Sequence, residues 1–568
     1  MFTEMGEMLE FLGENPFRVR AYLQAARVLA DLEQPIEQIA GGGVEKLDSI
    51  PGIGKDLALK IVEYLHSGKV RAHQELVRRV PQGVLEVMRV PGIGPKTAKQ
   101  LSSELKVISL PKLKRALESG KVLTLAGFGE AKRQRLLENL ELAETATKRR
   151  PLGEVLWRLC ELLGEIRKLP AVEQAEYCGS ARRYKETVGD LDFLVASKNG
   201  EKVVQAFVKL PEIADVETKG PNRATVFLKD GLQVDLKIVP PASWGSGLQY
   251  LTGSKEHGIR LRNIALKQGL KLNEYGVWRG SKRIAGADEE GVYQALGLPL
   301  IPPPLRENTG EIEAAALGKL PKLVLLGEIK GDLHAHSAWS DGKNSLWELA
   351  GAARELGYSY LAVTDHSPAV RVAGGVPAEK MKERIRAIQQ VNEKTGGKPY
   401  LLAGAEVDIL EDGSLDYPDA VLGQLEIVLV AIHSRFGMPG SAMTRRILKG
   451  LENPNVHILS HPTCRIFGQR KQISADWEQI FERARALGKA VEIDGYYDRM
   501  DLPDTLARRA GEVGVMVSLG TDAHQIDHLK FMDLAVGTAQ RAWLSSPQIL
   551  NTKGPEGLRY WLESLRSG

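Results

Sequence analysis

At 568 residues the chain exceeds what one hydrophobic core supports, so three or four domains are expected. Its 43% apolar and 26% charged residues describe an ordinary globular protein, and no apolar run is long enough to span a bilayer as a helix. Three cysteines (Cys160, Cys178, Cys464) without CxxC spacing exclude a disulfide framework and read as reduced, mostly buried thiols, while a net charge of +4 says little by itself.

The acidic opening MFTEMGEMLEFLGENPF lacks a signal-peptide pattern, so a cytoplasmic location is expected. Over residues 1–150 Lys and Arg modestly outnumber Asp and Glu, which is compatible with a nucleic-acid partner or with a solvated helical surface. Residues 17–30 have helical periodicity with one basic face. An internal repeat follows: Ile50-Pro51-Gly52-Ile53-Gly54-Lys55, then Val90-Pro91-Gly92-Ile93-Gly94-Pro95-Lys96-Thr97, then a weaker Leu125-Ala126-Gly127-Phe128-Gly129-Glu130-Ala131. Each puts Gly-apolar-Gly at a turn between helices, where a partner backbone can approach and the next helix offers N–H groups to a phosphate. For one copy a plain helical hairpin is an equal alternative. Three copies in basic surroundings favour DNA, and the pattern resembles the helix-hairpin-helix motif, which grips phosphates without reading sequence.

Lys148-Arg149-Arg150-Pro151 marks a linker, and a helix is expected from Leu152 to about Lys168. Next come Tyr177-Cys178-Gly179-Ser180-Ala181-Arg182-Arg183 and Gly189-Asp190-Leu191-Asp192-Phe193-Leu194-Val195. An apolar run carrying Asp-x-Asp predicts a strand with both carboxylates on one face, where repulsion calls for a divalent cation. The Gly-Ser and arginine groups upstream are donors of the kind that hold phosphate. A charged turn entering an edge strand is the alternative, and the added Gly-Ser-x-Arg-Arg disfavours it. The strand Leu232–Val239 sets Asp235 on a face with Gln233 and Lys237, so Asp235 is expected to complete a triad. Gln249–His257, with Tyr250 beside Thr252-Gly253-Ser254, and Arg260-Leu261-Arg262 follow; alone, they read equally as a buried tyrosine beside a turn.

Together these motifs resemble the family X DNA polymerases, the group containing polymerase beta, over residues 1 to about 310. The resemblance implies a nucleotidyltransferase that fills short gaps in DNA repair, such as base excision repair. It implies two Mg²⁺ ions held by Asp190, Asp192 and Asp235, with gapped or primer-template DNA and dNTPs as partners. It assigns triphosphate contacts to Arg149, Gly179, Ser180 and Arg183, the sugar-side wall to Tyr250 and Gly253, and a template-side contact to Arg262. It assigns DNA contacts to Arg18, Tyr22, Gly52, Gly54, Lys55, Gly92, Gly94, Lys96 and Thr97. Leu251 stands where an aromatic is expected and Gly258 where an asparagine is expected. Lys60 matches a nucleophile that removes 5′-deoxyribose phosphate in relatives, but Asp56 replaces a lysine of that pocket.

Ile301-Pro302-Pro303-Pro304 and the polar stretch after it read as a linker. Beyond it, strands such as Tyr360–Thr364, Tyr400–Ala405, Ile427–Ala431, His457–Ser460, Ala490–Ile493 and Val515–Leu519 alternate with helices, which predicts a barrel or parallel sheet. Polar residues cluster just after these strands: His334-Ala335-His336, Ser340-Asp341-Gly342, Thr364-Asp365-His366, Glu406, His433, Ser460-His461 and Thr521-Asp522-Ala523-His524. Histidines and carboxylates gathered at strand ends are what a multinuclear transition-metal site requires. His457 and His528 lack such context and are expected to be structural. The constellation resembles the polymerase and histidinol phosphatase (PHP) domain. That resemblance puts its nine ligands at His334, His336, Asp341, His366, Glu406, His433, His461, Asp522 and His524. It implies Mn²⁺ or Zn²⁺ and a Mn²⁺-dependent 3′–5′ exonuclease or 3′-end processing activity. Arg435 and Arg465 are candidates to steady a phosphate.

The expected fold is multidomain α+β and α/β. Its parts are a helical 5′-phosphate or lyase-like domain (1–82), a second helix-hairpin-helix domain (83–148) and a polymerase beta-like palm (149–240). A nucleotide-binding subdomain (241–305), a linker (306–325) and a distorted seven-stranded (βα) barrel (326–568) follow. A monomer at the nucleoid is expected. Two rival readings are a polymerase fused to a phosphoesterase for small phosphate esters, and a DNA-binding scaffold with neither site active.

Overall fold

A computed structural model describes the chain except residues 31–35, 41–42, 51, 68, 82, 89, 91, 131, 135, 138–139, 141–148, 468–469 and 568. Pro51, Pro91, Ala131 and Lys148 of the motifs above therefore lie outside the described residues. The chain divides into two compact units. One comprises 1–149, 161–179 and 189–300; the other comprises 150–160, 180–188 and 301–568.

The first unit begins with short helices around a core built from Met5, Met8, Leu9, Tyr22, Leu57, Leu101 and Leu117. The three glycine motifs form the same turn. Gly52, Gly92 and Gly127 take φ of +93°, +89° and +80°, a region that side chains with a Cβ rarely enter. Ile53, Ile93 and Phe128 each donate a backbone bond back across the turn, to Ile50, Val90 and Leu125. Gly54, Gly94 and Gly129 then offer the first carbonyls of the helices that follow, accepting from Ala58, Ala98 and Arg133. The weak third copy is thus a structural equal of the other two.

The same unit carries a five-stranded sheet in the order Gln174–Tyr177, Asp190–Ala196, Gln233–Val239, Arg223–Leu228, Ile213–Gly220. Its two central strands run parallel with Asp192 opposite Asp235, and the other pairings are antiparallel. Along Gln233–Val239, Val234, Leu236 and Ile238 are buried while Gln233, Asp235 and Lys237 are half-buried, as the alternation predicts. Helices Trp244–Thr252 and Lys255–Lys267 and a small three-stranded sheet complete the unit.

The second unit is a parallel seven-stranded sheet in sequential order: Gly331–Ala335, Tyr360–Val363, Tyr400–Asp408, Ile427–Ala431, Ile458–Leu459, Ala490–Asp494, Met516–Gly520. It nearly closes on itself, because Ala335 bridges Ala523 beyond the last strand and His336 N–H bonds Ala523 O at 2.8 Å. The seven-stranded (βα) barrel expected from the sequence is therefore present. The stretch expected as a linker contains the helix Glu311–Ala316, with Arg306 and Glu311 fully buried. Glu311 caps the turn before its helix by accepting from the backbone of Asn308 and Thr309 at 2.9 and 2.7 Å. Among the described residues no helix is long and apolar enough to cross a membrane.

Candidate active sites

The parallel register that sets Asp192 beside Asp235 brings ligand-type oxygens of Asp190, Asp192 and Asp235 within 4.8 Å of one another. Gln233 Nε2 and Thr225 Oγ1 hydrogen-bond the Asp235 carboxylate at 2.7 and 2.5 Å and fix its orientation. Burial and the charge of Asp235 push the Asp190 carboxyl above its usual range, against the pull of the Arg149 guanidinium. Three crowded carboxylates fit a divalent cation, which would relieve both burial and repulsion. Gly179, at φ +58°, leaves room for this cluster, since a Cβ there would meet Asp192 Oδ2 at 2.0 Å. Tyr250 is partly exposed, with the Lys237 ammonium 4.8 Å from its ring centre, and Lys237 also pairs with Glu274 at 3.0 Å. Gly253 takes φ +68°. Gly258 and Arg262 face each other across one helical turn, a Cβ at 258 standing 3.8 Å from Arg262 Nη1. Leu251 packs against the apolar cluster of Cys178, Leu194, Val239 and Leu248. Ser180 and Arg183 belong to the other unit.

Around the first hairpin, Arg18, Tyr22, Gly52, Gly54, Lys55 and Asp56 line an open cavity of about 740 Å³. Lys60 pairs with Asp56 at 2.6 Å and lies 5.9 Å from the Tyr22 ring centre. Gly94 precedes the helix Pro95–Leu105, whose first turn carries Lys96 and Thr97.

In the barrel, all nine sequence-selected residues converge. Glu406, fully buried, stands 2.6 Å from His461 Nε2, 3.0 Å from His366 Nδ1, 3.2 Å from His433 Nε2 and 3.4 Å from His334 Nε2. Asp522 approaches His336 Nε2 at 2.9 Å, and Asp341 approaches His524 Nε2 at 3.3 Å. The electrostatics are steep. Burial would raise Glu406, yet the surrounding histidines hold it well below the carboxylate range. Burial would lower His433 and His524, yet Glu406 and Asp408 around the first, and Asp522 and Asp341 around the second, raise both to about 9. Burial drives His366 down to about 3.

This donor set fits transition-metal ions. His366 Nδ1 and Glu406 Oε2 lie 3.0 Å apart, yet neither makes a hydrogen bond; buried His336 Nδ1 makes none either, nor does His433 Nδ1, which stands 3.4 Å from Asp408 Oδ1. Buried polar atoms left this way are costly unless an ion takes them. Imidazole mixed with carboxylate suits Zn, Mn or Fe rather than a hard all-oxygen site.

An outer layer went unread in the sequence. Glu492 accepts from His334 Nδ1 at 2.8 Å and from the His461 backbone at 2.8 Å, fixing which nitrogen of His334 faces the cluster. Arg499 pairs with Asp522 at 3.2 Å. Buried Asp365 accepts from Ser337 and Ser340, on the loop between His336 and Asp341, and pairs with the buried guanidinium of Arg384 at 2.6 Å. For Glu492 the acid set between Val491 and Ile493 was the available signal; Arg384 and Arg499 lie in polar stretches that carried none. Of the two arginines considered for phosphate, Arg435 pairs with Glu411 at 3.0 Å. Arg465 bonds the Arg499 carbonyl at 2.8 Å and pairs with Glu186 at 2.8 Å. His457 accepts from the Val428 backbone within the core, and His528 packs on Tyr496 and Phe531.

Four families match along the chain: a helix-hairpin-helix domain over 1–70, a SAM-like helix-hairpin-helix tandem over 84–142, the DNA polymerase beta thumb over 247–307 and the PHP domain over 332–497. The DNA polymerase/3′-5′ exonuclease PolX of Bacillus subtilis is 35% identical over 98% of this chain and 97% of its own length. A protein of Syntrophotalea carbinolica named "Probable phosphatase" is 28% identical over 39% of this chain and 90% of its own. One of Thermoanaerobacter with the same designation is 26% identical over 39% and 89%.

Proposed function

The chain belongs to the family X DNA polymerases that carry a C-terminal PHP domain, and from that premise we propose how its two metal centres divide the work on a DNA 3′ end. The protein is a DNA polymerase and a metal-dependent 3′–5′ exonuclease. Extension runs at Asp190, Asp192 and Asp235 with Mg²⁺ and dNTPs on short gaps. Removal runs at the nine barrel residues with Mn²⁺ or Zn²⁺. The protein works as a monomer at the nucleoid.

Bound divalent ions supply Lewis acidity and neutralise developing phosphate charge at both centres. The chain's own residues do the rest. Gln233 and Thr225 hold the Asp235 carboxylate toward its two partners. Arg149, Ser180 and Arg183 receive the triphosphate, and Tyr250 and Gly253 wall the sugar. In the barrel, Glu492 keeps His334 in one tautomer, and Asp365 braces the loop bearing His336 and Asp341. The hairpin cavity anchors a 5′-phosphate through Arg18, Tyr22 and Lys55. Lys60, paired with Asp56, performs no lyase chemistry there.

What supports the reading most is the existence of two chemically different clusters in one chain, an all-carboxylate triad and a largely buried group of nine histidines and carboxylates. The similarity to phosphatase-named proteins over the barrel favours a second reading, a phosphoesterase for small esters. The test gives wild-type protein a gapped DNA labelled at the 5′ end of its primer strand and p-nitrophenyl phosphate, each with Mn²⁺ and no dNTP. Shortening of the DNA with little release of nitrophenol supports the exonuclease. Nitrophenol release with intact DNA supports the second reading.

A further inference from the structure

The loop that leaves the barrel after His366 is closed on itself and tied to the metal cluster. Val376 N–H donates to the His366 carbonyl at 2.8 Å, so the chain returns to the point where the loop began. Ser367 N–H donates to the Glu406 carbonyl at 2.9 Å, and Ser367 Oγ accepts from the Asp408 backbone at 3.0 Å. At this neck Gly375 passes so close to Ser367 that a Cβ would meet its carbonyl oxygen at 2.0 Å. Further out, the Asp416 carboxylate accepts from Ala369 N–H at 2.6 Å. The tip is a single 3-10 turn, Arg371–Ala373, closed by Gly374 N–H on the Arg371 carbonyl at 3.2 Å and seated by buried Ala373. From this pinned turn Val372 stands wholly in solvent, at 103% the most exposed large apolar side chain among the described residues. Its neighbour Arg371 is exposed and makes no ion pair among the described residues. A scattered exposed valine needs no explanation. One held out on an ordered turn whose base is bonded to two candidate metal ligands does.

We propose that the Arg371–Ala373 turn is the strand-separating wedge of the exonuclease. Val372 inserts against the terminal base pair, and Arg371 holds a backbone phosphate of the strand drawn into the barrel. The proposal rests on the reading of the barrel as the centre that removes the 3′ end. His334, His336 and Glu406 are fully buried, so the last nucleotide has to leave its partner before its phosphate reaches them. Apolar side chains inserted at base steps unstack a duplex, and burial of the bare valine offsets part of the lost stacking. The turn is already ordered, so insertion adds no ordering cost. Because its neck is bonded to the backbones of His366 and Glu406, the opened end is presented at a fixed reach from the cluster.

The test compares 5′-labelled strands of one sequence, either single or fully paired at the 3′ end, degraded by the full-length protein with Mn²⁺. Val372→Ser and Val372→Asp are expected to slow degradation of the paired end about tenfold and of the single strand less than about twofold. Val372→Leu keeps the wild-type ratio. A mismatched 3′ terminus recovers most of the loss, because that pair is already open. Arg371→Gln raises KM on both substrates by the same factor and lowers the slope of log affinity against log salt by about one. A further readout needs no catalysis: with Mn²⁺ withheld, 2-aminopurine at the paired 3′ end brightens when wild-type protein binds, and Val372→Ser is expected to halve that rise. If His336→Ala degrades DNA at the wild-type rate, the barrel reading fails and takes the proposal with it. If His336→Ala is inactive but Val372→Ser slows both substrates equally, or slows neither, the wedge is overturned and the barrel reading stands.

Discussion

Replacing Arg384 by methionine should unfold the PHP domain far more readily while sparing DNA synthesis. Arg384 is fully buried. Its guanidinium pairs with Asp365 at 2.6 Å and donates to the carbonyls of Gly404 and Val363 at 2.8 Å each. Methionine fills much of the volume but leaves the Asp365 carboxylate buried without its counter-charge. Removing one partner of such a pair costs about 3–5 kcal/mol. For a domain of this size that lowers the melting temperature by roughly 10 °C. Burial would raise the Asp365 carboxyl, and Arg384 and His336 hold it low; without Arg384 the carboxyl shifts upward, and any proton it takes up limits the loss. The assay is calorimetry of the full chain, following the transition that carries the barrel. The double variant Arg384→Met/Asp365→Asn is expected to regain about half of the lost stability, because no charge is left unpaired. A single variant melting within about 2 °C of wild type would refute the reasoning, as would a double variant less stable than the single one.

Gly179→Ala should cut primer extension by about a hundredfold or more and leave 3′ degradation intact, because the new methyl group would collide with Asp192. Metal affinity of the barrel should rise steeply with pH between about 7 and 9, because ions must displace protons from His433 and His524, each raised to about 9. Titration of metal-free protein at pH 6.5 and 8.5 tests this, and a flat response contradicts it. The same histidines stabilise the metal-free fold fully below about 6.5, and that contribution is lost as pH rises through 9; chelated protein should therefore melt lower at pH 8 than at 6.5. Borohydride trapping on 5′-deoxyribose-phosphate DNA should yield no adduct at Lys60 in the wild type, given its pair with Asp56.

Much of this was legible from local pattern. Period-two alternation put Asp190, Asp192 and Asp235 on strand faces, while the parallel register that sets Asp192 opposite Asp235 is seen only in the structure. The barrel strands were readable as short apolar segments, and its histidines as polar residues at their ends. The outer shell was legible only at Glu492, an acid between the strand hydrophobes Val491 and Ile493; Arg384 and Arg499 are defined by partners far away in sequence. The same holds for Glu307, which pairs with Arg183 and Arg541: it sits in a stretch whose proline and polar residues read as linker, yet its neighbours Arg306 and Glu311 are fully buried. Charges buried through long-range pairing leave no periodic trace.

The central claim is that one chain builds and removes a DNA 3′ end at separate metal centres. It is tested most directly by measuring extension and 3′ degradation of one labelled gapped DNA by Asp190→Ala/Asp192→Ala and by His336→Ala. The account predicts that the first loses extension and keeps Mn²⁺-dependent degradation, and that the second does the reverse. Extension surviving the double aspartate change, or both activities vanishing together in either protein, would contradict it.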